Sequence, residues 1–290
     1  MKKILFVIAA LAVLAATDLA HAADMALKAP PPPAPVYSWT GFYVGANAGY
    51  GWHDPTVSLT PNDFLIQSQT CAATGSAAGT CPAPNAFNIQ GGLGGLQAGY
   101  NFQVNQNWVL GLEADFDWSR IKGTGTSNFF MSGFIAPSPT NYQASDDVKW
   151  FGTVRGRIGV LPTNNLLLYA TGGLAYGRVQ ENVVVNAQPG AMALPGPAGF
   201  SFNCVAAAPC FAGNSARTAT GFTVGGGAEY ALWKNVSLKA EYLYVNLGSG
   251  NAFNVTAQAS FGGQPNLSSF SAAYGRTDFH VARAGVNWRF

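Results

Sequence analysis

Charged side chains are scarce in this chain of 290 residues, of which only 10% are Asp, Glu, Lys or Arg. Ordinary soluble domains carry roughly 25% charged residues, so we expect something other than water to cover much of the surface. Long apolar runs are also missing, because no stretch beyond the N-terminal segment approaches the roughly 18 apolar residues of a membrane-spanning helix. The sequence therefore excludes a transmembrane helix, although 48% of its residues are hydrophobic.

Net charge of either sign is small as well. The formal charge is +2 and becomes +1 once Lys2, Lys3 and Asp18 are removed with the leader described next. Proteins that bind polyanions carry strongly basic surfaces, so nucleic acid is not an expected partner.

The N-terminus carries an export signal. Two lysines precede an apolar run that ends at Ala16, and a small-residue cleavage site follows at 20–22. This pattern predicts a signal peptide over 1–22 that is removed in the mature protein. Five prolines in 23–38 predict an extended periplasmic linker, which leaves 39–290 for the folded domain.

Beyond the linker, eight segments alternate apolar and polar residues with a period of two, as β-strands with two different faces do. In the clearest segment, Trp108 and Leu112 face one way and Glu113 faces the other. Each segment is long enough for a tilted membrane-spanning strand of about 9–11 residues. The segments are 39–53, 91–104, 107–120, 148–161, 166–180, 219–232, 235–248 and 277–290.

The connections between these segments alternate in length. Three are short, at about 105–106, 162–165 and 233–234, and four are long, at about 54–90, 121–147, 181–218 and 249–275. Short turns at one end and long loops at the other are typical of bacterial outer-membrane barrels, whose long loops lie outside the cell. We therefore expect an all-β fold, an eight-stranded antiparallel transmembrane β-barrel with long outer loops, short periplasmic turns and both termini in the periplasm.

Eleven charged residues of these segments share the face opposite the large apolar side chains. In a soluble β-sandwich or lipocalin-like barrel, the competing fold, the apolar face would have to form an interior core. In a membrane barrel the charges point to the axis, where eight strands leave room for side chains and little else. We therefore expect a salt-bridge network that fills the lumen, with a small porin-like channel for ions or small solutes as the alternative. The network would comprise Glu113, Asp115, Asp117, Lys149, Arg155, Arg157, Glu229, Lys239, Glu241, Arg283 and Arg289.

All seven tryptophans lie at or beside the ends of predicted strands, the level at which indole side chains meet lipid headgroups. This placement predicts an aromatic girdle at both membrane interfaces. Trp39, Trp108, Trp233 and Trp288 would lie on the periplasmic side, and Trp52, Trp118 and Trp150 on the outer side.

Four cysteines, an even number in an exported chain, predict disulfides, for which three connectivities are formally open. Local pairing of Cys71 with Cys81 and of Cys204 with Cys210 is expected, because each pair lies within one Gly-, Ala- and Pro-rich loop. A metal site is the rival interpretation. Neither pair has a nearby histidine or the short C-x₂₋₄-C spacing of zinc ligands, so we expect no metal and no cofactor.

Histidine is also rare, and only His53 and His280 lie beyond the leader. The alternation gives His53 an inward side chain and His280 an outward one, so a shared site is not expected. Asp278 shares a face with His280, but no serine lies in register with them, and a catalytic triad is not indicated. We expect no catalytic residue and no enzymatic activity.

Five stretches of the sequence carry a resemblance to a known family: WTGFYVGANAGYGW, GGLQAGYNFQ, NWVLGLEADF, YATGGLAYG and the closing VARAGVNWRF. Together they resemble the small outer-membrane β-barrel family of alphaproteobacteria, whose members are labelled porin-family or opacity-like surface antigens. The resemblance covers about 37–290. It implies an eight-stranded barrel of the OmpA transmembrane type with a structural or surface-antigen role.

The resemblance also implies partners. The terminal Phe290 after Trp288 resembles the C-terminal signal that the barrel-assembly machinery recognises. Outer-membrane lipids and lipopolysaccharide would surround the barrel. The long loops would meet an external ligand or a host surface, whose identity the residues leave open.

Overall fold

The structure, a computed structural model, describes residues 37–71, 80–131, 138–187, 194–195, 201–202, 209–258, 260–261, 264–265 and 268–290. The predicted signal peptide 1–22, most of the predicted linker 23–38 and Cys204 lie outside the described residues. The described secondary structure is almost entirely β. In this described part, no helix is long and apolar enough to cross a membrane.

Eight strands form the ring of the barrel. They are β1 (Gly41–His53), β4 (Ile89–Gln103), β5 (Trp108–Met131), β6 (Ser138–Thr163), β7 (Leu166–Ala187), β10 (Phe211–Trp233), β11 (Val236–Asn246) and β16 (Asp278–Arg289). Shorter elements between them are β2 (Thr56–Pro61), α1 (Phe64–Thr70), β3 (Asn85–Ala86), β8 (Leu194–Pro195), β9 (Ser201–Phe202), β12 (Ala252–Ala257), β13 (Ser260–Phe261), β14 (Gln264–Pro265) and β15 (Ser269–Tyr274). Short connections join β4 to β5, β6 to β7 and β10 to β11, close to the predicted positions.

The ring closes where the last strand pairs with the first. β16 runs antiparallel to β1 from the pair Tyr43–Arg289 to the pair Trp52–His280, and it pairs with β11 on its other side. An open sheet edge in hydrocarbon would leave backbone N–H and C=O groups without partners, so a membrane sheet must close in this way. The predicted eight-stranded antiparallel barrel is confirmed.

Four ring strands continue far past the length that a membrane requires. β5, β6, β7 and β10 have 24, 26, 22 and 23 residues, against about 9–11 for a tilted membrane strand. The segments 121–147 and 181–218, expected to be loops, are therefore mostly strand in their described parts, and that expectation is wrong.

The side-chain pattern inverts where these strands leave the membrane part of the barrel. On β5, the buried inward side chains change from Asp117 to Ile121 and Phe129. The outward side chains change in the opposite sense, from Trp118 to the exposed Lys122. The outer face therefore suits lipid below this level and water above it, while the interior changes from ionised to apolar.

The short strands complete the end of the molecule opposite the short connections, the end that was predicted to face outward and that we call the outer end. The upper end of β10 pairs with β12, and the sheet continues through β15 and β2 to β3. Beside β3, Phe87 packs on Gly125 of β5. The buried side chains enclosed here form one apolar core that includes Val57, Leu59, Ile66, Phe87, Phe129, Met131, Tyr142, Val183, Val185, Phe211, Val255, Phe270 and Tyr274.

Candidate functional site

The interior of the membrane part is filled by ionised side chains. Ten of the eleven charged residues predicted for the lumen are at most 5% exposed. They comprise five acids and five bases, which balance. They are Glu113, Asp115 and Asp117 of β5, Arg155 and Arg157 of β6, Glu229 of β10, Lys239 and Glu241 of β11, and Arg283 and Arg289 of β16.

Two arginines form the upper centre of this network. The Arg155 guanidinium lies 2.6 Å from Glu113, 2.7 Å from Asp115 and 3.0 Å from Glu241. Arg283 lies 2.7 Å from each of Asp115 and Glu241 and the same distance from Asp117. Since each arginine meets carboxylates from two or more strands, the contacts join β5 and β6 to β11 and β16 across the lumen.

A second layer lies nearer the short turns. Arg157 bonds Glu229 at 2.9 Å and Glu113 at 3.3 Å, and Lys239 lies 2.7 Å from Glu113. Glu229 also accepts hydrogen bonds from the Ser237 hydroxyl and from the Asn287 amide. The additional bonds matter, because a buried ion pair is stable only when its remaining donors and acceptors are also satisfied.

Neutral inward residues, which the sequence analysis did not single out, extend the network. The Tyr43 hydroxyl donates to Glu113 at 2.6 Å, and the Tyr169 hydroxyl donates to Glu241 at 2.9 Å. The Arg157 guanidinium lies over both rings, 5.1 Å and 4.9 Å from their centres. Their inward position in the strand alternation is the signal that would have found them.

Lys149, the eleventh predicted lumen residue, lies outside the lumen. Its side chain is 45% exposed and bonds Asp147 at 2.5 Å. A β-bulge causes the difference, because β6 carries an extra residue between Val148 and Trp150 relative to β7. An extra residue shifts the alternation by one, so Lys149 no longer shares the face of Arg155.

Trp39, predicted for the interface girdle, instead closes the interior at the end with the short turns. It is fully buried, packs with Val109, Leu161 and Leu167, and donates its indole N–H to the Asn164 carbonyl. The Arg289 guanidinium lies 4.8 Å from its ring. The girdle was predicted from the positions of strand ends alone. Trp39 and Tyr43 both have odd residue numbers, so the strand alternation places Trp39 on the same inward face as Tyr43.

The other six tryptophans lie on the outer face, four of them near strand ends and two, Trp118 and Trp150, within the long strands β5 and β6. Trp108, Trp118, Trp233 and Trp288 are 46–70% exposed. Trp150 stacks on Phe116, with ring centres 5.4 Å apart, and Trp52 stacks on His280 at 5.8 Å. These side chains are available to lipid headgroups at both edges of the apolar band.

An apolar layer covers the network on the side of the long strands. Along β6 the inward residues pass from Arg155 through Thr153 to Phe151, and along β16 they pass from Arg283 through Val281 to Phe279. The Phe151 and Phe279 rings meet edge to face at 5.2 Å. The ionised layer is therefore enclosed between Trp39 at one end and these phenylalanines at the other.

The cysteines and histidines lie away from the lumen network. A disulfide joins Cys71 to Cys81, one of the two local pairs considered from the sequence. Cys210 is also disulfide-bonded, while its expected partner Cys204 lies outside the described residues. Over the described ranges, no group of three or more His, Cys, Asp or Glu side chains is arranged to hold a metal ion.

His280 and His53 have different surroundings. The His280 Nδ1 atom lies 2.7 Å from the Tyr242 hydroxyl on the outer face, and Asp278 accepts a hydrogen bond from Tyr244 instead. His53, the last residue of β1, is half-buried.

A closed antiparallel ring with an apolar exterior and an ionised, paired interior defines a transmembrane β-barrel. The chain belongs to the family described as "Outer membrane protein beta-barrel domain", whose model matches residues 6–290. It is thus an outer-membrane β-barrel protein of the alphaproteobacterial type that the sequence resembles, and that prediction is confirmed.

Among its relatives is the 31 kDa outer-membrane immunogenic protein of Brucella melitensis, which is 35% identical over 288 residues, 98% of each chain. The 25 kDa outer-membrane immunogenic protein of Brucella abortus is 26% identical over 260 residues, 87% of each chain. Among solved structures, the outer membrane protein OprG from Pseudomonas aeruginosa aligns with 88% of this chain and 100% of its own, at 10% identity and a TM-score of 0.40.

Proposed function

We propose that the protein is a closed, structural barrel of the outer membrane that displays a folded outer end at the cell surface. In this proposal it is neither a channel nor an enzyme. The lumen network holds the barrel together, and the outer end meets external ligands or host surfaces. The observation that carries the proposal is the filled lumen, in which ten ionised side chains are almost completely buried against one another.

Three successive layers support a closed lumen: the Trp39 contacts, the ion-pair network, and the Phe151–Phe279 contact. A small porin-like channel, the alternative, would need a continuous water path past all three. Opening such a path would pull Arg155 and Arg283 away from carboxylates at 2.6–3.0 Å. Each charge stranded in this way costs several kcal/mol.

The unequal ends of the barrel support the orientation. Short connections lie at the end that carries Trp39 and Phe290, and outer-membrane barrels have their short turns in the periplasm. Both ends of the barrel domain would then be periplasmic. Phe290 is 76% exposed there, so its side chain is accessible to barrel-assembly machinery.

The names of the relatives support surface display. The Brucella proteins are named for their immunogenicity and not for a reaction. An antibody reaches a barrel most readily at its outer end, which here is a folded β-structure with its own apolar core. Such an end can present a fixed surface to an external partner.

Planar-bilayer recording of the refolded protein tests the closed lumen. We expect no stable current steps above those of protein-free bilayers, with folding verified by heat-modifiable migration on a gel. Trp39→Ala is the matched variant, because it opens one end only and leaves the ion-pair layer in place, so it should also be silent. Stable, sizeable steps from the folded wild-type protein would overturn the proposal in favour of a channel.

Labelling of intact cells with a membrane-impermeant maleimide tests the orientation. Thr126 on the outer part of β5 and Lys234 in the turn between β10 and β11 are both exposed. We expect Thr126→Cys to react in intact cells and Lys234→Cys to react only after permeabilisation. The reverse pattern would contradict the proposed orientation.

A further inference from the structure

A patch of cations lies on the outer face of three neighbouring strands, just beyond the tryptophans. Arg120 and Lys122 follow Trp118 on β5, and Lys149 precedes Trp150 on β6. Arg178 of β7 stands directly opposite Trp150 in the sheet register. We call these four residues, Arg120, Lys122, Lys149 and Arg178, the basic patch.

The basic patch is only partly neutralised by the protein. Asp147 lies opposite Lys122 in the register and forms an ion pair with Lys149. Among the residues that the structure describes, no ion pair or side-chain hydrogen bond involves Arg120, Lys122 or Arg178. The patch therefore presents a net positive surface at the level where the outer face changes from apolar to polar.

A shallow groove lies on the same strands within the apolar band. It is open to the surroundings, has a volume of about 350 Å³, and is lined by residues that include Gly156 and Ile158 of β6 and Ala170 and Gly172 of β7. A Cβ atom added at Gly156 would meet nothing closer than the Gly172 carbonyl at 4.0 Å, so the space beside the backbone is open. The small side chains therefore leave a depression in the outer face of the barrel.

The distance between groove and patch matches one membrane leaflet. Gly172 precedes Arg178 by six residues on β7, about 20 Å along the strand. At a strand tilt of roughly 40°, this separation corresponds to about 15 Å of height. Half of a hydrocarbon core of about 30 Å is the same length.

A second groove on the far side of the barrel lacks such a patch. It is lined by Ala48, Ala240, Ala282 and Ala284 among others. The side chains beyond it are the stacked rings of Trp52, Tyr242 and His280, not a group of cations. Of these two grooves, therefore, only the one on the β5–β7 face has a group of cations beyond it.

We propose that the β5–β7 face binds one phosphorylated glycolipid of the outer leaflet, a lipopolysaccharide, through its lipid A. The phosphates would contact the basic patch, and the end of an acyl chain would reach the Gly156–Gly172 edge of the groove. Charge complementarity selects this occupant, because anionic phosphates of lipid A lie at the outer interface to which the patch belongs. The inference goes beyond the closed-lumen function and rests only on the orientation proposed above.

Titration of the full chain, refolded in nonionic detergent, with purified bisphosphorylated lipid A tests the proposal by calorimetry. A basic residue near an anionic lipid surface contributes about fivefold in affinity, so Arg120→Gln with Lys122→Gln should weaken binding about 25-fold. Gly156→Leu fills the groove and should weaken binding about tenfold, which corresponds to the loss of about two buried methylene groups of the acyl chain. Lys234→Gln and Ala48→Leu are the matched controls, and each should change affinity less than twofold.

Two further probes separate the sources of the same chemistry. Phosphatidylglycerol should bind at least tenfold more weakly than lipid A, and inorganic phosphate should not bind measurably. Equal affinity for phosphatidylglycerol, saturable binding of inorganic phosphate, or lipid A binding that the patch variants leave unchanged would each overturn the proposal. If Gly156→Leu does not fold, Lys149→Gln with Arg178→Gln takes its place and should again weaken binding about 25-fold. Micelles give the protein no inside or outside, so a failure here is distinct from a failure of the labelling and conductance tests.

Discussion

Replacing Arg155 with methionine tests whether individual pairs in the lumen stabilise the barrel. The Arg155 side chain is completely buried and meets three carboxylates, those of Glu113, Asp115 and Glu241. Removing one partner of a buried ion pair costs about 3–5 kcal/mol, because an uncompensated charge remains. Each carboxylate keeps another cation, Lys239 for Glu113 and Arg283 for the other two, so we expect the lower end, about 3 kcal/mol. Methionine retains much of the side-chain volume, so the loss reports charge more than a cavity.

Urea unfolding of the barrel in phospholipid vesicles, followed by the heat-modifiable gel band, measures this loss. Adding Asp115→Asn to Arg155→Met should recover part of the stability, because it removes a carboxylate that Arg155 had neutralised. Asp117→Asn is the matched control, since it restores the same net charge but Asp117 pairs with Arg283 and not with Arg155. Equal recovery by both second changes, or a cost below about 1 kcal/mol for the single change, would refute specific pairing.

Two further predictions concern the faces of the strands and the outer end. Leu112→Lys puts a cation on the lipid face of β5 and should cost roughly 2–4 kcal/mol in the same unfolding assay, whereas Thr124→Lys, beyond the tryptophans, should cost almost nothing; equal costs would contradict the assignment of faces. Burial raises the pKa of Asp146 and of Glu181, beyond the membrane part of β6 and β7, to about 7, partly opposed by Arg217. The folded state then holds protons that the unfolded chain releases near pH 4, so the stability of the outer end should fall as pH rises from about 4 to about 7 and level off above. Limited proteolysis at pH 5 and pH 8 measures this, Asp146→Asn should flatten the dependence, and a more resistant outer end at pH 8 would contradict it.

The membrane part of the fold follows from local pattern. Period-two alternation with large apolar residues on one face predicts both the strands and their closure, because a sheet with ionised residues on its other face has only the lumen in which to bury them. Alternation alone was enough to assign the inward charged residues of β5, β11 and β16 to the lumen. Lys149 could not be assigned in this way, since an extra residue in one strand relative to its neighbour is visible only in the pairing of the two.

The outer end was missed for a different reason. Beyond Trp118, the outward residues of β5 are Arg120, Lys122 and Thr124, but the sequence-based prediction ended this strand at 120 and assigned Lys122 and Thr124 to a loop. Alternation persists there, but its sense is reversed, with Ile121 and Phe129 inward. A search for strands whose apolar residues face outward misses such a segment. A search that also accepts strands whose apolar residues face inward would have extended β5 beyond Trp118.

The inversion also links the two halves energetically. Ion pairs are strong only where water is excluded, because the attraction between charges falls as the effective dielectric constant rises. On β6 and β16 the residues that exclude water from Arg155 and Arg283 are Phe151 and Phe279, which belong to the outer apolar core. The outer core therefore strengthens the pairs beneath it, and the pairs hold together the strands on which that core is built. This mutual dependence supports the proposed closed lumen, because a water path through either layer would weaken both.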